Sequence, residues 1–138
     1  MRKRRLQNVQ AEMSELSFAD SEEDYLGKAR HWADAVIEQA HRESDVPVED
    51  AIVAAARKSK IPRSVLWALR YRPPKELGVR VFFQLKRAYR QILQRQEAKL
   101  ELEIEVARHL PHTDARSGLI AESEAVLRSV RRELAELG

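Results

Sequence analysis

Residues 48–75 constrain the fold more than any other stretch, because their prolines limit where helices can run. An alanine-rich segment with helical spacing ends at a short break that contains Pro62, and a second helical segment then runs into Pro73-Pro74. Proline lacks a backbone donor and disfavours helical geometry in the residue before it. The stretch therefore predicts two short helices, at about 48–59 and 62–71, joined by a tight turn.

The second of these helices has two different faces when its residues are projected at 100° per residue. The apolar face consists of Pro62, Val65, Leu66 and Leu69. The opposite face consists of Arg63, Trp67, Arg70 and Tyr71. One face is suited to packing and the other to contact with a polyanion. A plain amphipathic hairpin with solvated arginines has the same pattern and remains an alternative.

The segment resembles the general bacterial helix-turn-helix motif when Ile52 is taken as its first position. The apolar and small positions of that motif are then occupied by Ala55, Ala56, Ile61, Leu66 and Leu69. Ser59 stands where an apolar residue is usual, and Lys60 occupies the turn position that is most often Gly. A positive φ at that position costs Lys roughly 1 kcal/mol relative to Gly. The resemblance covers a small part of the chain, is at the level of a superfamily, and implies DNA binding.

Composition narrows the function classes further. The chain has 138 residues, 43% of them apolar and 34% charged, with four Gly and no Cys. Few stretches alternate as strands do, so we predict an all-α fold. The absence of thiols excludes disulfides and thiolate metal sites. No apolar run approaches the ~20 residues that are needed to span a bilayer. No apolar run follows the basic N-terminal residues, as it would in a secretory leader. We therefore expect a cytoplasmic, nucleoid-associated protein without membrane contact.

Charge is distributed unevenly along the chain. Residues 55–95 contain the single acid Glu76, whereas acids prevail in the flanking segments. The basic residues of this block are Arg57, Lys58, Lys60, Arg63, Arg70, Arg72, Lys75, Arg80, Lys86, Arg87, Arg90 and Arg95. A basic centre between acidic arms is typical of a nucleic-acid interface. We therefore predict double-stranded DNA as a partner.

The resemblance assigns roles to particular residues, because the second helix of such a motif enters the major groove. The predicted base contacts are Arg63, Ser64, Trp67 and Arg70. Trp67 has an alternative role, packing on a neighbouring helix. The predicted backbone contacts are Lys58, Lys60, Tyr71, Arg72, Lys75, Arg80, Lys86, Arg87 and Arg90.

The N-terminal part is predicted to precede this core as an arm. Residues 1–20 form a basic tip, with Arg2 to Arg5, and an acidic linker. The tip is either a solvated tail or an arm that reaches phosphates or the minor groove. Ser21 and Asp24 have the spacing of a capping box, which predicts a core helix from Ser21 and a helix-turn-helix core over 21–75.

Residues 76–138 predict a long antiparallel helical hairpin that resembles a coiled coil. An eleven-residue spacing relates Phe82, Leu93 and Ile104 on a helix of about 76–109, which keeps one stripe on one face. A turn follows, with Thr113 or Asp114 as N-cap of a helix that runs to about 137. Because two helices shield only part of each stripe, we predict a homodimer through 76–138.

The sequence contains no constellation that indicates an enzyme, a cofactor or a small-molecule ligand. Glu105, His109 and His112 are interpreted as a surface turn rather than a metal site, since a third ligand with recognisable spacing is missing. We predict a sequence-specific, dimeric transcriptional regulator of bacterial, phage or mobile-element type. Two alternatives remain: a helical adaptor or anti-activator that grips a partner with Phe82, Phe83, Tyr89 and Leu93, and a non-specific nucleoid or RNA binder.

Overall fold

The computed structural model describes the backbone of residues 15–138 and the side chains from Asp24 onward. In this range the chain is helical and contains no strand. The helices are α1 (Glu15–Ser44), α2 (Val48–Ser59), α3 (Arg63–Tyr71), α4 (Val79–Arg108) and α5 (Asp114–Leu137). The predicted fold class, an all-α chain with a small helical unit followed by a long helical hairpin, is confirmed. The chain divides into two compact units: unit 1 ends at Leu85, and unit 2 comprises Lys86–Gly138.

Unit 1 is built on mutual packing of α1, α2 and α3. At the core, α1 and α2 carry small side chains that are fully buried, namely Ala29, Ala33, Ala51 and Ala55. Small residues let helix backbones approach closely, so larger side chains can fill the remaining space. Ile52, Leu66 and Leu69 do so and are almost inaccessible to solvent. This packing fixes α3 on the other two helices.

The first turns of α4 complete unit 1. Phe82 stacks on Tyr25 with ring centroids 4.3 Å apart, and it also contacts Trp32 at 5.0 Å. The Tyr25 hydroxyl donates a 2.6 Å hydrogen bond to the carbonyl of Leu77, in the segment that follows the double proline. Leu85 is fully buried. The segment after α3 is therefore anchored to α1 by an aromatic cluster.

Helix α1 begins earlier than the sequence predicted. The predicted start at Ser21 is wrong, because α1 begins at Glu15. Residues 15–21 contain neither Gly nor Pro, so nothing interrupts the helical hydrogen-bond ladder there. Ser21 lies inside the helix instead of capping it. The arm and linker were predicted over residues 1–20, of which residues 1–14 lie outside the described residues. The division into 1–20, 21–75 and 76–138 stays a prediction.

Unit 2 is an antiparallel hairpin of α4 and α5. Tyr89 donates a hydrogen bond to Glu133 at one end of the hairpin, and Arg108 pairs with Glu124 at 3.6 Å near the connection. Early residues of α4 thus face late residues of α5. Thr113 is the N-cap of α5, since its Oγ1 accepts a 3.0 Å hydrogen bond from the Arg116 N–H. Leu93 and Ile104 of the predicted stripe on α4 are buried, as are Ala107 on α4 and Leu127 and Val130 on α5.

Candidate nucleic-acid interface

The turn between α2 and α3 determines where α3 starts. Lys60 has φ 63° and ψ 25°, and its N–H donates a 2.9 Å hydrogen bond to the carbonyl of Ala56. This left-handed conformation favours Gly, so the positive φ considered for Lys60 is present. Pro62 then acts as N-cap, and its carbonyl accepts hydrogen bonds from the N–H groups of Val65 and Leu66. Arg63 is consequently the first residue of α3.

Ser59 stabilises the same turn in a way that the sequence did not reveal. Its Oγ donates a 2.7 Å hydrogen bond to the carbonyl of Ala55 and accepts a longer one, 3.4 Å, from the Ile61 N–H. Ile61, which follows Lys60, is 1% exposed. The hydroxyl thus bridges the end of α2 to a buried residue after the turn. The motif pattern, which expects an apolar residue at this position, gives no signal of that bridge.

The outward face of α3 combines polar and aromatic side chains. Arg63 and Ser64 are exposed at the start of the helix. Trp67 is 42% exposed and Tyr71 is 48% exposed, and their rings lie 5.4 Å apart at 51° to each other. Trp67 therefore contacts its own helix neighbour and is not a core residue. These four side chains lie on the face opposite the buried leucines of α3.

Arg70 differs from the other predicted base contacts. Its side chain is 25% exposed, and its Nη1 lies 3.6 Å from Oδ1 of Asp34 on α1. That carboxylate oxygen is buried and has no hydrogen-bond partner among the described residues, so Arg70 compensates its charge. The guanidinium also lies 5.8 Å from the centre of the Tyr71 ring. A base contact by Arg70 requires it to leave Asp34, which sequence patterning does not indicate.

Unit 1 carries further exposed cations before and after α3 in the sequence. Lys60, Arg72, Lys75 and Arg80 are exposed, and the first turn of α3 contains no acidic residue. Lys58, by contrast, pairs with Glu43 at 3.1 Å. The start of α3 therefore combines positive side chains with the positive end of the helix dipole, and no acidic side chain in that turn offsets this charge.

The remaining predicted backbone contacts belong to unit 2. Arg87 is exposed and Lys86 is half-buried. Arg90 donates a 2.5 Å hydrogen bond to the carbonyl of Gly138. These residues stay predicted DNA contacts, and the structure places one of them, Arg90, at the end of α5.

The histidines near the hairpin turn have protein partners. Nε2 of His109 lies 3.2 Å from Oε2 of Glu105, and Nδ1 of His112 lies 2.7 Å from Nη1 of Arg116. Among the side chains from Asp24 onward, no three His, Cys, Asp or Glu groups are arranged to hold a metal ion. No helix in the described part of the chain is long and apolar enough to cross a membrane.

The exposed residues of α3 are the best candidate site in unit 1. No protein-family model matches the chain, and neither the curated proteins nor the solved structures contain a match. Function is therefore inferred from the residues themselves. The structure brings Arg63, Ser64, Trp67 and Tyr71 to one face and places Arg70 against Asp34.

Proposed function

We propose that unit 1 binds double-stranded DNA through the outward face of α3, and that the protein is a sequence-specific transcriptional regulator of bacterial, phage or mobile-element type. One observation carries the proposal: α3 exposes Arg63, Ser64 and Trp67, while its opposite face is held by Leu66 and Leu69, both fully buried. A major groove about 12 Å wide admits a single helix. A helix fixed along one side and polar along the other fits that groove.

The side chains at the start of α3 have the chemistry for base recognition. The Arg63 guanidinium can donate two hydrogen bonds to O6 and N7 of guanine. The Ser64 hydroxyl can donate or accept at a neighbouring base edge, and the Trp67 ring offers an apolar surface to a thymine methyl group. In this proposal, Arg63 contributes most of the sequence preference because its contact is bidentate.

The exposed cations of unit 1 supply attraction that does not depend on sequence. Lys60, Arg72, Lys75 and Arg80 are suited to phosphate contacts, because Lys and Arg neutralise phosphates and release condensed counterions. If six to ten phosphates are contacted in total, affinity falls by roughly 10³–10⁵ between 50 and 200 mM salt. Salt dependence therefore measures this part of the interaction.

Most of the side chains predicted to anchor a partner in the adaptor alternative are not exposed. Tyr89 and Leu93 are 7% and 2% exposed, and Phe82 stacks on Tyr25. Phe83 is the member of that set with a largely exposed side chain, at 55%. Because buried side chains are unavailable to a partner, the predicted role of Tyr89 and Leu93 as anchors is wrong. DNA binding is the function that the exposed residues favour.

The test is selection of bound duplexes from random DNA with the full chain, followed by anisotropy titrations of selected and random duplexes at several salt concentrations. Arg63→Ala is expected to lower the preference for the selected duplex by about 1–3 kcal/mol, since it removes a bidentate contact. Arg42→Ala is the matched control, because Arg42 is an exposed arginine of α1 in the same unit.

The outcomes separate the alternatives. No binding to any duplex at low salt overturns the proposal. Equal affinity for selected and random duplexes supports the non-specific alternative and removes the role of Arg63. An affinity that does not change with salt argues against phosphate neutralisation by the basic block.

A further inference from the structure

The core of unit 2 is open, because a pair of helices cannot surround its own apolar stripe. Only Ser123, Leu127 and Val130 of α5 are buried. Small units bury a smaller fraction of their surface than large ones, so a partner would cover apolar area that this hairpin leaves exposed. A partner for the hairpin is thus expected on physical grounds.

Large apolar side chains remain exposed in the half of the hairpin nearest its connection. They are Leu102 (64% exposed), Val106 (55%), Val126 (47%), Leu119 (47%) and Leu110 (46%). Ion pairs join α4 and α5 along one flank, where Arg108 meets Glu124. A helical projection places Leu119 and Val126 on the opposite flank of α5 and Val106 on the same side of α4. Leu119, Val126 and Val106 thus lie on the side without those ion pairs, and Leu102, one turn before Val106, lies on the adjoining outer face of α4.

The distribution of charge along α4 indicates which partner could bind the exposed apolar side of the hairpin. Within unit 2, cations prevail before residue 100 and acids after it. On the part of α4 in unit 2, the cations before residue 100 are Lys86, Arg87, Arg90, Arg95 and Lys99, with one acid, Glu97; the later acids are Glu101, Glu103 and Glu105, with one cation, Arg108. A second α4 laid antiparallel on the first brings each basic half against an acidic half, whereas a parallel one opposes like charges. Glu101 and Glu105 already pair with Arg131 and Arg108 of their own chain, so the argument for a self-complementary surface depends on Glu103.

We propose that unit 2 binds a second copy of this chain, with the two α4 helices antiparallel and Leu102 and Val106 at their contact. Lys99 and Glu103 project beside these two residues. A two-fold axis near residue 101 places Lys99 of one copy opposite Glu103 of the other, and two-fold symmetry makes this pair occur twice. This assembly does not depend on the DNA-binding proposal.

Charge reversal in the full chain, followed by sedimentation equilibrium without DNA, tests the arrangement. Lys99→Glu and Glu103→Lys each turn both cross-copy pairs into like-charge pairs, so each variant alone is expected to dimerise roughly tenfold more weakly. In an equimolar mixture, the heterodimer has opposite charges at both positions. The mixture is therefore expected to recover the dimer fraction of the unmodified chain.

The mixture also separates contacts between copies from effects within one helix. Lys99 and Glu103 are four residues apart, so each variant carries a like-charge pair within its own α4 whether it is mixed or not. Arg132→Glu reverses an exposed charge on α5 and is expected to leave dimerisation unchanged. Circular dichroism confirms that each variant remains helical.

Leu102→Glu provides a second test, because it places a charge at the centre of the proposed contact. It is expected to yield a monomer that keeps its helix content. A chain that is monomeric at every accessible concentration overturns the proposal. A mixture of the two reversed variants that associates no better than each alone overturns the antiparallel register.

Discussion

Unit 1 and unit 2 are both helical, but they bury their side chains to different extents. The large side chains with less than 2% exposure include Ile37, Ile52, Ile61, Leu66 and Leu69, all in unit 1. In unit 2 the most buried leucine, Leu93, is 2% exposed, and Leu127 is 7% exposed. Three mutually packed helices enclose a core, whereas two helices leave part of each stripe near solvent.

In both units, polar contacts secure the connection between helices and also run along the helix edges. In unit 1 the Ser59 hydroxyl and the Lys60 backbone secure the turn that positions α3. In unit 2 the Thr113 hydroxyl caps α5 at the connection, and Arg131 donates hydrogen bonds along the helix edge to Glu97 at 3.0 Å and Glu101 at 2.5 Å. Such exposed pairs contribute little stability each. The closed core therefore distinguishes unit 1 more than its polar contacts do, and it holds α3 in place for the proposed contact with DNA.

Truncation of one leucine in each unit is expected to have the largest effect and tests the difference in burial. Leu66→Ala should lower the free energy of unfolding by about 2–5 kcal/mol, because it leaves a cavity in a closed core. Leu127→Ala should cost less, since its side chain retains access to solvent and its surroundings can relax. Urea unfolding measures both. Equal losses would contradict the contrast between a closed and an open core.

A second prediction concerns the polar edge of unit 2. Burial, followed by the hydrogen bond to Glu133 and its charge, raises the pKa of Tyr89 above the usual 10.0. The folded state therefore holds this proton more tightly, and the contribution is complete below pH 10 and declines as pH rises above it. Tyr89→Phe should cost about 1.5 kcal/mol near neutral pH, because a hydrogen bond to a carboxylate is lost.

Urea unfolding on both sides of pH 10 measures this effect. The difference between the unmodified chain and Tyr89→Phe should shrink in the alkaline range, as the advantage of the native tyrosine disappears. Tyr71→Phe is the control, since Tyr71 is 48% exposed on α3. A difference that grows with pH would contradict the assigned cause.

The sequence predicted those features that local chemistry determines. Pro62 and Pro73-Pro74 bounded α3, the Thr113 cap began α5, and the eleven-residue stripe identified the buried side of α4. The start of α1 was wrong because the Ser21–Asp24 spacing also occurs inside helices. A capping signature indicates the start of a helix only where the preceding residues cannot be helical. Residues 15–20 can be helical and belong to α1.

Local sequence patterns do not predict contacts between residues that are distant in the chain. Arg70 belongs to the basic face of α3 by projection, but its distance to Asp34 depends on how α1 crosses α3. The same holds for Arg131, whose partners Glu97 and Glu101 lie on another helix. Periodicity assigns a residue to a face, whereas the packing of the neighbouring helix decides which partner it meets.

The smallest effect is expected at Lys60, where the stability of unit 1 and its proposed function have opposite requirements. Lys60→Gly should raise the free energy of unfolding by about 1 kcal/mol, because glycine adopts φ 63° without steric strain. Thermal unfolding measures the gain. Asp45→Gly, at the other non-glycine residue with positive φ (51°) in the described chain, should gain less, since Asp tolerates this region better than Lys.

If Lys60 contacts a phosphate, the same Lys60→Gly change should weaken binding to all duplexes alike and lower the slope of log affinity against log salt by about one. Lys60→Gln removes the charge without the backbone gain, so it should reproduce the loss of DNA affinity but not the added stability. A Lys60→Gly variant that is more stable and binds DNA unchanged would show that this turn uses lysine for a reason other than phosphate contact. In the proposed interface, the cation that Lys60 places before α3 is a contribution that glycine lacks.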